Sequence, residues 1–224
     1  MPNIYLIGDS LTHDYNYSCY PQCGMGEIIR RYANDDVKVL NYAHYGLSTR
    51  SFLAQKRFEP IKRALDKNDL LIIILGTNDE VIDNPIKYTN KDKEYLENID
   101  IFCTEAIKKK AIPIVVSSPC KREFVNGIIQ NTHHGYPESL IAFAKRKGYY
   151  NVDLNSLSMN LYQTLGEERC KEFHLIYPAG MYQRYPDGVL DNTHYNSLGA
   201  KTMAELILSD LKKQFKDYNK YFEY

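Results

Sequence analysis

Apolar residues follow two rhythms along this chain. Short, nearly continuous apolar runs occupy residues 3–7, 69–75 and 112–116, and residues 37–42 and 150–154 carry shorter β-branched stretches. Runs of this length predict strands, and the unbroken stretch Asp69-Leu70-Leu71-Ile72-Ile73-Ile74-Leu75 predicts a central parallel strand covered on both faces. Between these runs the apolar positions recur every three or four residues. Met25, Ile28, Ile29 and Tyr32 share one helical face, as do Ile99, Phe102, Cys103 and Ile107. Phe52, Phe58, Ile61 and Leu65 indicate short helices between Ser51 and Asp66, and residues 140–147 and 156–165 read as further helices. Ala200, Ala204, Ile207, Leu211 and Phe215 form the stripe of a closing helix, with the basic segment 212–224 read as its solvated end. Strands alternating with helices imply right-handed βαβ units. The predicted architecture is α/β: a three-layer α/β/α sandwich around a five-stranded parallel sheet, formed by one domain over residues 1–224. No internal repeat, low-complexity tract or linker interrupts it.

Polar residues cluster where the strands end. The first strand stops at Gly8-Asp9-Ser10, the second runs into a loop containing His44, Gly46 and Arg50, and the third stops at Gly76-Thr77-Asn78-Asp79. Open parallel sheets bind their ligands at these carboxyl ends. Ser10 supplies a hydroxyl there, but it acts as a nucleophile only with a base in reach. His194 is the best candidate base, because Asp191 stands three residues earlier and can orient its ring. Of the other histidines, only His44 is expected near the site. The backbone N–H groups of Ser10 and Gly46 and the side-chain amide of Asn78 are candidate donors to an oxyanion. Taken singly, each piece has a plainer reading: Ser10 as a helix cap, Gly46 as a turn glycine, Asn78 as an Asx-turn, Asp191 and His194 as a surface pair. Together, in this order and at these ends, they point to acyl transfer.

Composition narrows the partners. The chain has 224 residues, with 28 basic and 28 acidic side chains. Zero net charge gives no support for a nucleic-acid partner. No apolar run reaches the roughly 18 residues that span a bilayer, so no membrane partner is expected. The first strand begins within three residues of Met1, which leaves no room for a leader; a cytoplasmic protein is expected, or a secreted one if a leader was removed. Five cysteines cannot all pair internally, and Cys19 and Cys23 have no second pair to complete a zinc site. Free thiols are expected. Twenty tyrosines and no tryptophan is an unusual aromatic set.

Gly8-Asp9-Ser10-Leu11, Gly46, Gly76-Thr77-Asn78-Asp79 and Asp191-x-x-His194 resemble the four signature blocks of the SGNH, or GDSL, hydrolases. The likeness extends over nearly the whole chain. Within that superfamily the segments Gly46–Phe52, Ser118-Pro119-x-x-Arg122-x-Phe124 and Asp191–Ala200 are most similar to the rhamnogalacturonan acetylesterases. The resemblance implies a flavodoxin-like sandwich and serine ester hydrolysis without metal or cofactor. It implies Ser10 as nucleophile, His194 as base, Asp191 as its partner, and Ser10, Gly46 and Asn78 as the oxyanion hole. Thr77 stands where that subfamily usually has histidine. The Gly-x-Ser-x-Gly elbow of the α/β-hydrolases is absent.

A pectic rhamnogalacturonan substrate carries carboxylates, which arginine grips with paired hydrogen bonds. Arg50 is the first candidate for that role and Arg122 the second, although Arg50 can equally brace its own loop. Tyr182 and Tyr185 are candidates to pack on sugar rings, or else to cover a surface loop. The expected partner is a small acetylated oligosaccharide. A lysophospholipase, thioesterase or general carboxylesterase would keep the triad and change the acyl group. A carbohydrate-binding protein would keep only the fold.

Overall fold

The computed structural model covers residues 1–224. Its strands in chain order are β1 (Asn3–Gly8), β2 (Lys38–Asn41), β3 (Leu70–Ile74), β4 (Ile112–Val116), β5 (Phe124–Val125), β6 (Ile128–Ile129), β7 (Tyr150–Val152), β8 (His174–Tyr177) and β9 (Val189–Tyr195). The helices are α1 (Met25–Ile29), α2 (Thr49–Ala54), α3 (Phe58–Ala64), α4 (Glu94–Lys108), α5 (Tyr136–Lys147), α6 (Leu154–Leu165) and α7 (Ser197–Gln214).

Five strands form one sheet in the order β2-β1-β3-β4-β7, and every neighbouring pair is parallel. The chain steps outward from β1 to β2, then returns past β1 to continue at β3. That reversal opens a crevice at the carboxyl ends of β1 and β3, where doubly wound sheets hold their ligands. Gly8 ends β1 opposite Ile74. A Cβ at this position would lie 2.7 Å from the Thr12 Cβ and 3.1 Å from the Ile74 carbonyl oxygen. Only glycine therefore lets the turn after β1 fold back so closely.

The buried sheet residues alternate between two cores. Ile4, Leu6, Leu70, Ile72, Ile114 and Val116 pack with α1, α6 and α7 on one face. Tyr5, Ile7, Leu71, Ile73 and Val115 pack with α2, α3, α4 and α5 on the other. Every residue of β3 is buried, as its unbroken apolar run requires. The layers and the five-stranded sheet agree with the pattern of the sequence.

Two features depart from it. The segment after α7 is no solvated helix end: Phe215, Tyr218, Tyr221 and Phe222 turn back into the core beneath α1. Its lysines reach water while these four rings do not, and averaged charge hides that division. The second departure is a pair of small antiparallel hairpins, β5–β6 and β8–β9, outside the main sheet. The β8–β9 pairing skips residues: Leu175 pairs with Asp191, but the neighbouring His174 pairs with Tyr195. Residues 192–194 bulge out between those two pairs.

Candidate active site

Ser10 follows β1 in a tight turn, in which the Asp9 carbonyl accepts the N–H groups of Thr12 at 3.1 Å and His13 at 3.0 Å. The buried Asp9 carboxylate accepts the Leu11 N–H at 2.9 Å. The Tyr15 hydroxyl donates to the Ser10 carbonyl at 2.9 Å. These bonds fix the Ser10 backbone and leave its hydroxyl facing the crevice.

The bulge in β9 brings the base. In a regular strand, residues three apart point to opposite faces. Here the Asp191 Oδ1 accepts the N–H of Thr193 at 2.8 Å and of His194 at 2.9 Å, replacing ladder bonds with a local turn. The turn that brings the pair together is thus set inside a strand. It allows the His194 Nδ1 to donate to Asp191 Oδ2 at 2.7 Å, while the Ser10 hydroxyl lies 2.9 Å from His194 Nε2. The bulge is held from behind. Arg122 donates from Nη1 to Asn192 Oδ1 at 2.8 Å, and its backbone N–H reaches the Asn192 carbonyl at 2.9 Å. His174 Nδ1 donates to the His194 carbonyl at 3.2 Å. Burial pulls the His174 pKa down to about 4, so that ring stays neutral.

The charges are arranged for proton transfer. Burial alone would lower the His194 pKa, but the hydrogen bond and charge of Asp191, with a further contribution from Asp9, raise it above the ordinary imidazole value of 6.5. Burial opposes ionisation of Asp191 too, yet the bonds from His194 bring its pKa down to about 2. Asp191 therefore remains a carboxylate beside an imidazole that readily takes a proton. Asp9 is different: burial raises it to about 6, against the opposing Leu11 N–H bond and the nearby His194.

Candidate oxyanion donors come from the ends of the three neighbouring strands. The N–H groups of Ser10 and Gly46 have no acceptor within the chain. Gly46 has a φ of +72°, a left-handed turn that favours glycine. The two residues after Asn78 anchor its loop. Asp79 is fully buried and accepts the Thr49 backbone N–H, the Thr49 hydroxyl and the Thr89 hydroxyl. Glu80 pairs with Lys121 at 2.6 Å and His133 at 3.0 Å. Lys87, a residue without signal in the sequence pattern, donates from Nζ to Asn78 Oδ1 at 3.3 Å. That contact turns the amide nitrogen the other way, to 3.5 Å from Asp9 Oδ2.

The remaining candidates divide between bracing and lining roles. Arg50 makes a bidentate pair with Glu94, at 2.7 and 2.5 Å, and reaches the Pro85 carbonyl at 2.7 Å. It braces its loop, the second of the two roles open to it. Arg122 is a correction: it is buried, and besides Asn192 it donates from Nε and Nη2 to the Glu167 carbonyl. Its guanidinium holds the bulge and has no free fork for a substrate carboxylate. Tyr182 packs edge-on against Tyr177 and Tyr20, outside the wall of the Ser10 cleft. The Tyr185 hydroxyl accepts from Arg184 Nε at 3.2 Å. His44 lies near the site as expected, packed against Tyr45 and His13, and it is His13 that joins His194 in the cleft wall, with Nδ1 bound to the Ala43 carbonyl at 2.9 Å. Local spacing gave no sign of His13, because a cleft wall is assembled from separate loops.

The cleft over Ser10 and His194 has a volume of about 470 Å³, with walls from His13, Asp14, Tyr15, Tyr45 and Arg184 among others. No three metal-ligating side chains converge anywhere in the molecule, and all five cysteines are free. No helix is long and apolar enough to cross a membrane.

Known proteins share this outline. Residues 4–207 match the GDSL-like lipase/acylhydrolase family. The chain is 30% identical over 211 residues to the rhamnogalacturonan acetylesterase RhgT of Bacillus subtilis, covering 94% of this chain and 89% of that protein. The crystal structure of the Bacillus subtilis protein YxiM superposes with a TM-score of 0.77 at 25% identity, over 95% of this chain; the chain spans 56% of that longer protein. An acetylxylan esterase from Geobacillus stearothermophilus shares the fold, with a TM-score of 0.66 at 17% identity over 94% of each chain.

Proposed function

The chain belongs to the GDSL-like lipase/acylhydrolase family, and on that footing we propose that it is a serine acetylesterase, built as one domain, that removes acetyl groups from an acidic oligosaccharide of the rhamnogalacturonan type. The observation that carries this reading is the unbroken hydrogen-bonded line Ser10–His194–Asp191, beside two backbone N–H groups with no acceptor of their own.

The chemistry runs in two halves. His194 Nε2 takes the Ser10 proton as Oγ attacks the acetyl carbonyl carbon. The carbonyl oxygen becomes an oxyanion, stabilised by the N–H groups of Ser10 and Gly46 and by the Asn78 amide. The intermediate collapses: the ester C–O bond breaks, and the sugar oxygen leaves with the proton from the imidazolium. Water then attacks the acetyl-serine with His194 as base, and acetate departs as Ser10 regains its proton. Asp191 fixes the ring and stabilises its cationic form throughout.

Acetyl specificity is supported by the acetylesterase name of the Bacillus subtilis relative; the cleft itself mixes the polar side chains of His13, Asp14, Asn16 and Gln22 with those of Tyr15, Cys19 and Tyr45. The rhamnogalacturonan-type substrate is supported by the name of the Bacillus subtilis relative. The test is acetate release from acetylated pectic oligomers, followed by NMR, alongside nitrophenyl esters of increasing chain length. Acetate release with a preference for the two-carbon acyl group is expected. A preference for chains of six or more carbons would overturn the reading in favour of a lipase or thioesterase. Covalent capture of Ser10 by a fluorophosphonate separates an enzyme from a binding protein.

The donor set yields its own expectation. Asn78→Ala should lower kcat by about 10²–10³ with little change in KM, since its amide acts on charge that appears only in the transition state. Lys87→Met should act in the same sense but more weakly, by about tenfold, since it releases the amide rather than removing it. An Asn78→Ala enzyme that loses KM and keeps kcat would exclude Asn78 from the oxyanion hole.

A further inference from the structure

Arg184 is a cation at the cleft without an anion. It lies in the loop between β8 and β9 and lines the wall over Ser10 and His194. Its Nε donates to the Tyr185 hydroxyl at 3.2 Å and its Nη1 approaches the Ser18 carbonyl at 3.4 Å. Both acceptors are neutral, and the guanidinium also meets the side chain of Cys19. The carboxylate in the same wall, Asp14, is already matched by Arg30 at 2.5 Å and by the Asn41 amide at 2.6 Å. The wall therefore carries one unneutralised positive charge.

Arg184 also lines a second depression next to the cleft, of about 490 Å³, whose other walls include Tyr17, Tyr20, Met181 and Tyr182. These rings form a connected surface. Tyr17 and Tyr20 stack nearly parallel with centroids 6.4 Å apart, and Tyr20 meets Tyr182 edge-on at 5.5 Å. Tyr17 is 93% exposed and Tyr20 54%. Isolated exposed tyrosines are ordinary, but a contiguous group beside a reactive serine marks a binding surface. The loop that carries Arg184 and Tyr182 is held in shape by cross-bonds, Tyr185 N–H to the Tyr182 carbonyl at 2.9 Å and Gly180 N–H to the Pro186 carbonyl at 2.9 Å. The surface is thus presented ready-made, which lowers the entropy lost on binding.

We propose that this second depression is a subsite for the sugar units flanking the acetylated one, with Arg184 reading a uronate carboxylate at its boundary with the cleft and Tyr17, Tyr20 and Tyr182 packing against pyranose faces. The proposal rests on the acetylesterase reading above and identifies where an acidic substrate is recognised. A guanidinium can grip a carboxylate with two parallel bonds, and the charge-matched ligand is a carboxylated glycan rather than a neutral one. The aromatic rings supply affinity that is blind to charge.

Those two contributions separate by experiment. Ser10→Ala protein, which binds without turning over, is titrated calorimetrically with an oligomer of galacturonic acid and with its carboxyl-reduced, neutral counterpart. At low ionic strength the acidic oligomer should bind about tenfold more tightly, and the preference should shrink as salt screens the charge. Adding Arg184→Met should abolish the preference and leave binding of the neutral oligomer in place. Tyr17→Ala and Tyr20→Ala should weaken both oligomers by a similar factor, several-fold each. A preference that persists in the Arg184→Met background, or no preference to begin with, overturns the proposal. Failure of the parent reading has a different signature: the wild-type protein hydrolyses nitrophenyl acetate but releases no acetate from any acetylated glycan.

Discussion

Ser10→Ala should lower kcat for acetate release by about 10⁶, and His194→Ala should lower it by a similar factor. The two residues act as one unit, since the Ser10 hydroxyl lies 2.9 Å from the only nitrogen positioned to take its proton. The double variant should therefore be scarcely worse than either single one. A small residual rate is expected, because the N–H groups of Ser10 and Gly46 still stabilise an oxyanion formed by attack of water. Folding should be nearly unaffected: Ser10 sits in a turn held by its backbone and by Asp9, and its side chain holds nothing else together. The check is steady-state turnover together with thermal unfolding of each variant. A folded Ser10→Ala protein within tenfold of wild-type turnover would remove Ser10 from the mechanism.

Asp191→Asn has the second large effect and tests electrostatics as well as geometry. The carboxylate oxygen at Oδ2 accepts from the imidazole at 2.7 Å, whereas an amide nitrogen there would donate. The ring would then turn its proton to the wrong nitrogen, and turnover should fall by about 10⁴. The pH profile gives an independent reading. Only neutral His194 can accept the serine proton, so activity rises with pH through the histidine pKa and then levels off. In the wild-type protein that rise lies above pH 6.5, because the bond and charge of Asp191 outweigh burial. Without the carboxylate, burial dominates and the residual activity should begin its rise at lower pH. Profiles of kcat/KM against pH for the two proteins measure the shift. An unmoved acid limb would mean that Asp191 does not govern the base.

Much of this site was legible along the chain because its parts sit at the ends of strongly patterned elements. The apolar run of β3 announces its own end at Gly76, and Ser10 and Asn78 lie in the turns that follow β1 and β3. The Asp191-x-x-His194 spacing was legible as a pair but not as a geometry. Three-residue spacing in a strand points the two side chains apart, and it took the skipped pairing between β8 and β9 to turn them together. His13 and Lys87 gave no local signal at all, since what matters about each is the loop it meets: Ala43 for one, Asn78 for the other.

The sequence by itself determined the five strands of the main sheet, their parallel pairing with intervening helices, and the candidate residues at the strand ends, though not the two hairpins outside that sheet. These arise from periodicity and turn chemistry, which act between near neighbours. Only the tertiary structure decided which cations are free to meet a substrate. Arg50 is matched to Glu94 and Arg122 to Asn192, partners 44 and 70 residues away, while Arg184 keeps its charge unmatched at the cleft. Whether a charge is neutralised depends on the distance to every other charge in space, and no local pattern carries that distance.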